Sequence, residues 1–143
     1  MEELDFEIKL LSNTTDICPE VKISIDDVTY FTGQVLGEDV IKFNASVTDS
    51  FKLHVEFAGN DPKTLILDDQ GMPTNSVNVS INNVKIEDVD ITEIAYNQSK
   101  FNIDPSEKYI EEYQLTECMD LGLHGVWTLN IQSPVYIWML ENL

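Results

Sequence analysis

Apolar and polar residues alternate with a period of two along most of this chain. Phe6, Ile8 and Leu10 alternate with Glu7 and Lys9, and Val21, Ile23 and Ile25 alternate with Lys22 and Ser24. Each run predicts a strand with one face on a core and the other in water. The stretch from Ser12 to Asp16 between them is turn chemistry, and Asp26-Asp27 predicts a tight hairpin turn into Val28-Thr29-Tyr30-Phe31. Gly33 and Gly37 predict a break before Val40, Ile41 and Phe43. Phe51, Leu53, Val55 and Phe57 alternate with Lys52, His54 and Glu56, which puts His54 on the outward face.

Val77, Val79 and Ile81 continue the pattern, and after Asn82-Asn83 the register resumes at Val84 and Ile86, then at Val89 and Ile91 beyond Glu87-Asp88. That interruption predicts a bend or bulge between successive strands. Residues 95–124 mix Tyr96, Phe101, Pro105, Tyr109 and Tyr113 with polar residues, and predict a long excursion with short strands. Trp127, Leu129 and Ile131 alternate again, which assigns Trp127 to the core. From Pro134 to Leu143 the pattern admits a short terminal helix, with Pro at its first turn, or an edge strand. Many short strands punctuated by Asn, Asp and Gly predict an all-β fold. The expected form is a single antiparallel β-sandwich, jelly-roll-like, with a short C-terminal helix, spanning residues 1–143 as one domain.

Charge narrows the function classes. Eight basic against 26 acidic residues give a net charge of -18, which repels phosphate backbones and anionic membrane surfaces. No apolar run approaches the roughly 20 residues that span a bilayer. The acidic N-terminus MEELDFEIKLL lacks the order of a secretion signal, so the expectation is a mature chain with none. Cys18 and Cys118 are too few and too isolated for a zinc knuckle or a disulfide framework. The Asn-x-Ser/Thr sites at Asn13, Asn44, Asn78 and Asn97 then read as strand and turn residues.

Catalytic patterns are weak. There is no Gly-x-Ser-x-Gly elbow, and His54 and His124 are the only histidines, His124 sitting in a Gly-flanked turn. With so many acids, a carboxylate pair at glycosidase spacing arises by chance. Calcium fits better, because it takes six to eight oxygen ligands in irregular geometry. Asn60 and Asp61 after the Phe51 strand, with Asp68 and Asp69 before the next one, are the candidate ligands; the rival reading makes them turns only.

The segment from Phe51 through Asn60-Asp61 and Asp69 to Ser76-Val-Asn-Val-Ser-Ile-Asn-Asn-Val-Lys-Ile-Glu-Asp resembles the core of small calcium-dependent xylan-binding modules. The resemblance implies a β-sandwich, calcium as cofactor and a glycan partner. Over nearly its whole length the chain also resembles small uncharacterised proteins of T4-like marine tailed phages, most clearly from Pro134 to Asn142 (Pro-Val-Tyr-Ile-Trp-Met-Leu-Glu-Asn). That resemblance implies a virion or host-cytoplasmic setting and supplies no catalytic residues.

Tyr96, Tyr109 and Tyr113 are the aromatics placed to stack on sugar rings, or else pack under their own loop. Tyr136 and Trp138 either close the protein's own sandwich or dock on a neighbouring subunit, giving a homo-oligomer or a contact with another virion protein. The function expected is a non-catalytic phage accessory or structural protein with a carbohydrate-binding-module-like sandwich. The alternatives are a small glycan-cleaving enzyme using loop carboxylates and an assembly factor that never enters the particle.

Overall fold

The computed structural model describes residues 2–12, 20–35, 37–58, 69, 78–103, 114–121 and 125–143. It is mostly β. The elements are β1 (Glu2–Ser12), β2 (Glu20–Ile25), β3 (Val28–Gln34), β4 (Glu38–Val47), β5 (Ser50–Ala58), β6 (Val79–Ile86), β7 (Val89–Asp90), α1 (Thr92–Gln98), β8 (Lys100–Ile103), β9 (Gln114–Thr116), β10 (Asp120–Leu121), β11 (Gly125–Gln132) and α2 (Val135–Glu141). One sheet runs β10-β6-β1-β4, with β7 also on β6, and the other runs β3-β2-β5-β11-β8-β9. Every pairing is antiparallel, as expected for a sandwich built from hairpins.

The alternating residues meet between the sheets. Leu4, Phe6, Ile8 and Leu10 of β1 and Val79, Ile81, Val84 and Ile86 of β6 are buried, facing Val21, Ile23, Phe51, Leu53, Val55, Phe57, Trp127, Leu129 and Ile131 of the second sheet. Val77, expected to share the β6 face, lies outside the described residues.

Two bulges interrupt this alternation. Lys9 pairs with Asn83 and Leu10 with Ile81, so Asn82 is the extra residue on β6. Asn82 and Asn83 therefore stay on the outside, side by side, while Ile81 and Val84 both turn inward. On β3, Ile23 pairs with Phe31 and Ser24 with Thr29, leaving Tyr30 as the extra residue. Its ring stacks on Phe43 at 4.9 Å, and Phe43 stacks on Phe6 at 5.0 Å, sealing the side of the sandwich between the two edge strands.

The turns behave as their residues dictate. Asp26 has a positive φ of 51° in the β2–β3 turn, and Glu87 and Asp88 have φ of 54° and 62° between β6 and β7. Asp tolerates that left-handed region better than most residues do, which accounts for Asp26 and Asp88 but not for Glu87. Asp26 also ties its turn to β5: its carboxylate accepts the Lys52 N–H at 3.0 Å and its own N–H donates to the Lys52 carbonyl at 2.9 Å. Gly33 does not break the chain as expected. β3 continues through it, because the Phe31 ring covers the glycine, with Cζ 3.1 Å from where a Cβ would stand.

Within residues 95–124, short strands form as expected, but α1 was not anticipated. Asp90 sets it up, accepting both the backbone N–H (2.9 Å) and the hydroxyl of Thr92. The Thr92 hydroxyl in turn accepts the Val84 N–H at 3.0 Å, joining the start of α1 to β6. Ile94 and Ala95 are the buried residues of this helix of about two turns.

The chain end forms the helix. Pro134 occupies the N-cap of α2 and offers no side-chain cap; Glu2 supplies one from the start of β1, its Oε1 accepting the Val135 N–H (3.1 Å) and the Ser133 hydroxyl (2.6 Å). Val135, Trp138 and Met139 are buried, Trp138 to 6 % exposure, so this face closes the sandwich.

Two stability outcomes are expected. Trp138→Ala should cost about 3 to 5 kcal/mol in urea unfolding, as for other buried aromatics. Asp90 is held below the usual carboxylate range by the Thr92 hydroxyl first, then the Thr92 N–H, with the Asn83 amide and Lys85 adding to it and partial burial opposing. A depressed folded-state value means that this carboxylate stabilises fully above the ordinary 3.8 and loses its contribution as pH falls below that. The stability gap between the native protein and Asp90→Asn, followed by urea melts at stepped pH, should therefore narrow below that value; a pH-independent gap would contradict it.

Candidate functional site

Because α1 is short and packs only Ile94 and Ala95 inward, its other side chains stand on the surface. Tyr96 is 42 % exposed and, with Asp90, Thr92, Glu93 and Met119, lines an open depression of about 620 Å3. Asp90 and Glu93 also border a second, smaller depression with Ile94, Asn97, Asn142 and Leu143, where the ends of α1 and α2 approach. The two depressions share their acidic rim and form one groove around α1.

Its side chains offer an aromatic face, carboxylate acceptors and amides, which a polyol could engage. A flat tyrosine ring offers a face for the apolar side of a sugar ring. Two carboxylates accept hydrogen bonds from vicinal hydroxyls, and the Asn97 and Asn142 amides can both donate and accept. The Asp90 carboxylate is fixed by Thr92 and by the Asn83 amide, which donates to its Oδ2 at 3.1 Å. The Asn142 amide is held by the Trp138 carbonyl at 2.7 Å. The ring itself stands on backbone pinned by the Ala95 N–H to Ile91 and the Ser99 N–H to Ala95 bonds, at 2.8 and 2.9 Å.

Of the other sequence candidates, the structure describes Asp69, Tyr136 and Trp138. Asp69 is an exposed turn residue, and Asn60, Asp61, Asp68, Tyr109 and Tyr113 lie outside the described residues. Among the described residues no group of three or more His, Cys, Asp or Glu side chains could hold a metal ion. Tyr136 is 52 % exposed on α2, while Trp138 faces the protein's own core. Cys118 is half-buried, its thiol donating to the Asp120 carbonyl at 3.3 Å; Cys18 and His124 fall outside the described residues.

His54 lies on the outer face of the second sheet, as expected, with Nδ1 at 3.0 Å from the Thr128 hydroxyl. Partial burial, then Lys52, pushes its pKa below the ordinary 6.5, while Asp26, Asp27 and Glu56 pull the other way. It stands apart from the α1 groove. The residues that sequence reasoning missed are Asp90, Thr92, Glu93 and Met119. The cap position before α1 is Ile91, which carries no side-chain cap, so no helix-start signal marked them.

No protein-family model and no curated protein matches this chain. Among solved structures, the chain is similar to the carbohydrate-binding module vCBM60 in complex with galactobiose, at 13% identity over 89% of this chain and 99% of that one, with a TM-score of 0.54. It is likewise similar to a selenomethionine form of vCBM60, at 12% identity over 88% of this chain and 89% of that one, with a TM-score of 0.56. That form is described in connection with a circular permutation linking two families of calcium-dependent carbohydrate-binding modules. At such low identity the likeness concerns the fold: this chain is an antiparallel β-sandwich of the kind found in carbohydrate-binding modules.

Proposed function

We propose that this protein is a non-catalytic glycan-binding module, and that the groove around α1 is where the sugar sits. The observation that carries this reading is the exposed Tyr96 ring, set between the fixed Asp90 carboxylate and Glu93 on a rigid sandwich. The module architecture, in a neighbour solved with galactobiose, supports the same class of ligand. Because Asp90 is already held by Thr92 and Asn83 and the α1 backbone by its own bonds, binding requires little ordering of these groups.

Calcium belongs to this reading as a stabilising ion, held by Asp61, Asp68 and Asp69 with Asn60. Oxygen donors of this kind suit a hard cation, and the structural neighbours are described in the context of calcium-dependent modules. The setting that fits the phage resemblance is an accessory or structural component of a tailed-phage particle, contacting a surface glycan or another virion protein. Mass spectrometry of purified particles tests that setting directly.

Two outcomes check the binding reading. Tyr96→Ala should lower the affinity for galactobiose or a related oligosaccharide about tenfold or more in calorimetric titration, with the melting temperature unchanged; equal affinity would remove the groove from consideration. Calcium at 100 times its dissociation constant should stabilise the protein by about 2.7 kcal/mol, and Asp69→Ala should abolish the rise in melting temperature. An equal rise in the variant would instead indicate general screening of the acidic surface.

A further inference from the structure

The end strand of a sheet presents a row of backbone donors and acceptors without partners, and short strands, bulges or charges normally guard it. Among the described residues, most ends here are guarded in that way. β7 and β10 hold two residues each, β9 holds three, and β3 carries the Tyr30 bulge. β4 differs: its ten residues pair with β1 in one unbroken register, and no other described strand pairs with it. It contains neither proline nor glycine.

The groups along that edge can be assigned. Ser12 donates its N–H to the Gly37 carbonyl at 2.7 Å, one step beyond the Leu11–Glu38 pair, so bonded pairs fall at every second position from there. Asp39, Ile41, Phe43 and Ala45 therefore bond to β1. Glu38, Val40, Lys42, Asn44 and Ser46 direct their N–H and C=O groups the other way, along the open edge. The far side of β1 agrees: Glu87 donates to the Asp5 carbonyl at 2.8 Å, which assigns Asp5 and Glu7 to the β6 side and leaves Phe6 and Ile8 for β4.

The same five residues place exposed side chains on the outer face. Val40, at 48 % exposure, stands between Glu38 and Lys42. The charges beside it are balanced, since Glu38 lies 3.2 Å from Lys9 and Lys42 lies 3.3 Å from Glu7. A strip of this kind lets two chains approach closely although each carries a net charge of -18.

We propose that β4 pairs with β4 of a second copy of this chain, antiparallel and centred on Val40, so that the two first sheets join across a two-fold axis. In that register Val40 faces Val40 of the second copy, and Glu38 faces Lys42 of the second copy on both sides of the axis. Opposite charges directly across two strands are a favourable pair, and the symmetry supplies it twice. Facing pairs at 38, 40 and 42 then exchange the backbone bonds that the open edge leaves unmade. Centring on Lys42 instead sets two ammonium groups against each other, and centring on Ile41 sets Lys42 against Val40. Asp39 comes to oppose Ile41 of the second copy, and an edge contact is small, so the dimer is weak and reversible. α1 packs on β6, β9 and β11, away from this edge, which leaves the Tyr96 groove open in the dimer.

The test is sedimentation equilibrium of the whole chain from about 1 μM to about 1 mM. It is run at about 0.15 M salt, where fields beyond about 8 Å are screened. The native chain should populate a dimer in the upper part of that range. Val40→Pro removes a donor directed at the open edge and none bonded to β1, so it should weaken dimerisation about tenfold or more with little change in melting temperature. Glu38→Lys and Lys42→Glu should each weaken it as well, because either one sets like charges across the axis. An equimolar mixture of those two variants restores both opposite-charge pairs and should recover the dimer. A native chain that stays monomeric throughout overturns the proposal. So does a dimer that a folded Val40→Pro variant leaves intact, which places the contact elsewhere, and so does a mixture that associates no better than its components. If Val40→Pro does not fold, the mixing experiment decides alone.

Discussion

The extra residue at Asn82 fixes what lies on each side of the first sheet. Strand side chains alternate faces strictly, so a one-residue shift in register would send a whole half-strand to the wrong side. β1 needs Phe6, Ile8 and Leu10 inside against β6, while β6 must present Ile81 and Val84 inside although they are three residues apart. Only an inserted residue reconciles those demands. The insertion leaves Asn82 and Asn83 together on the outer face and allows Lys85 to line up with Glu7 and, beyond it, with Asp90. Core packing and surface chemistry thus depend on the same bulge.

The strands were legible because burial on one face imposes a period of two, and that period is visible for Phe6 to Leu10, Val21 to Ile25, Phe51 to Phe57 and Trp127 to Ile131. The Asn82-Asn83 interruption was legible as a bend, since it broke the phase of the pattern without ending it. Gly33 misled, because a glycine ends a strand only when nothing covers the gap it leaves, and the Phe31 ring does. α1 escaped because it buries only two residues and takes its start from Asp90, a side chain outside the helix. Two buried positions are too few to show a 3.6-residue period.

The site divided along the same line. Tyr96 could be nominated from the sequence as an aromatic in an irregular stretch, but its acidic neighbours could be assembled only once β7 and α1 were joined through Thr92. Lys9, Lys42 and Lys85 are separated by long intervals of chain, and only the antiparallel register brings them to one face. Local sequence patterns report periodicity within an element; convergence between elements is a property of topology. The calcium expectation belongs to a third kind, resting on Asn60, Asp61 and Asp68, outside the described residues, together with the exposed Asp69.

Charge and rigidity then act together. Surface ion pairs such as Lys42–Glu7–Lys85 contribute little to stability, typically under about 1 kcal/mol each. Their effect is to hold long, otherwise mobile ammonium groups in one place on the sheet face. The same holds around Tyr96, where the Thr92 relay and the amide of Asn83 fix Asp90 before any ligand is present.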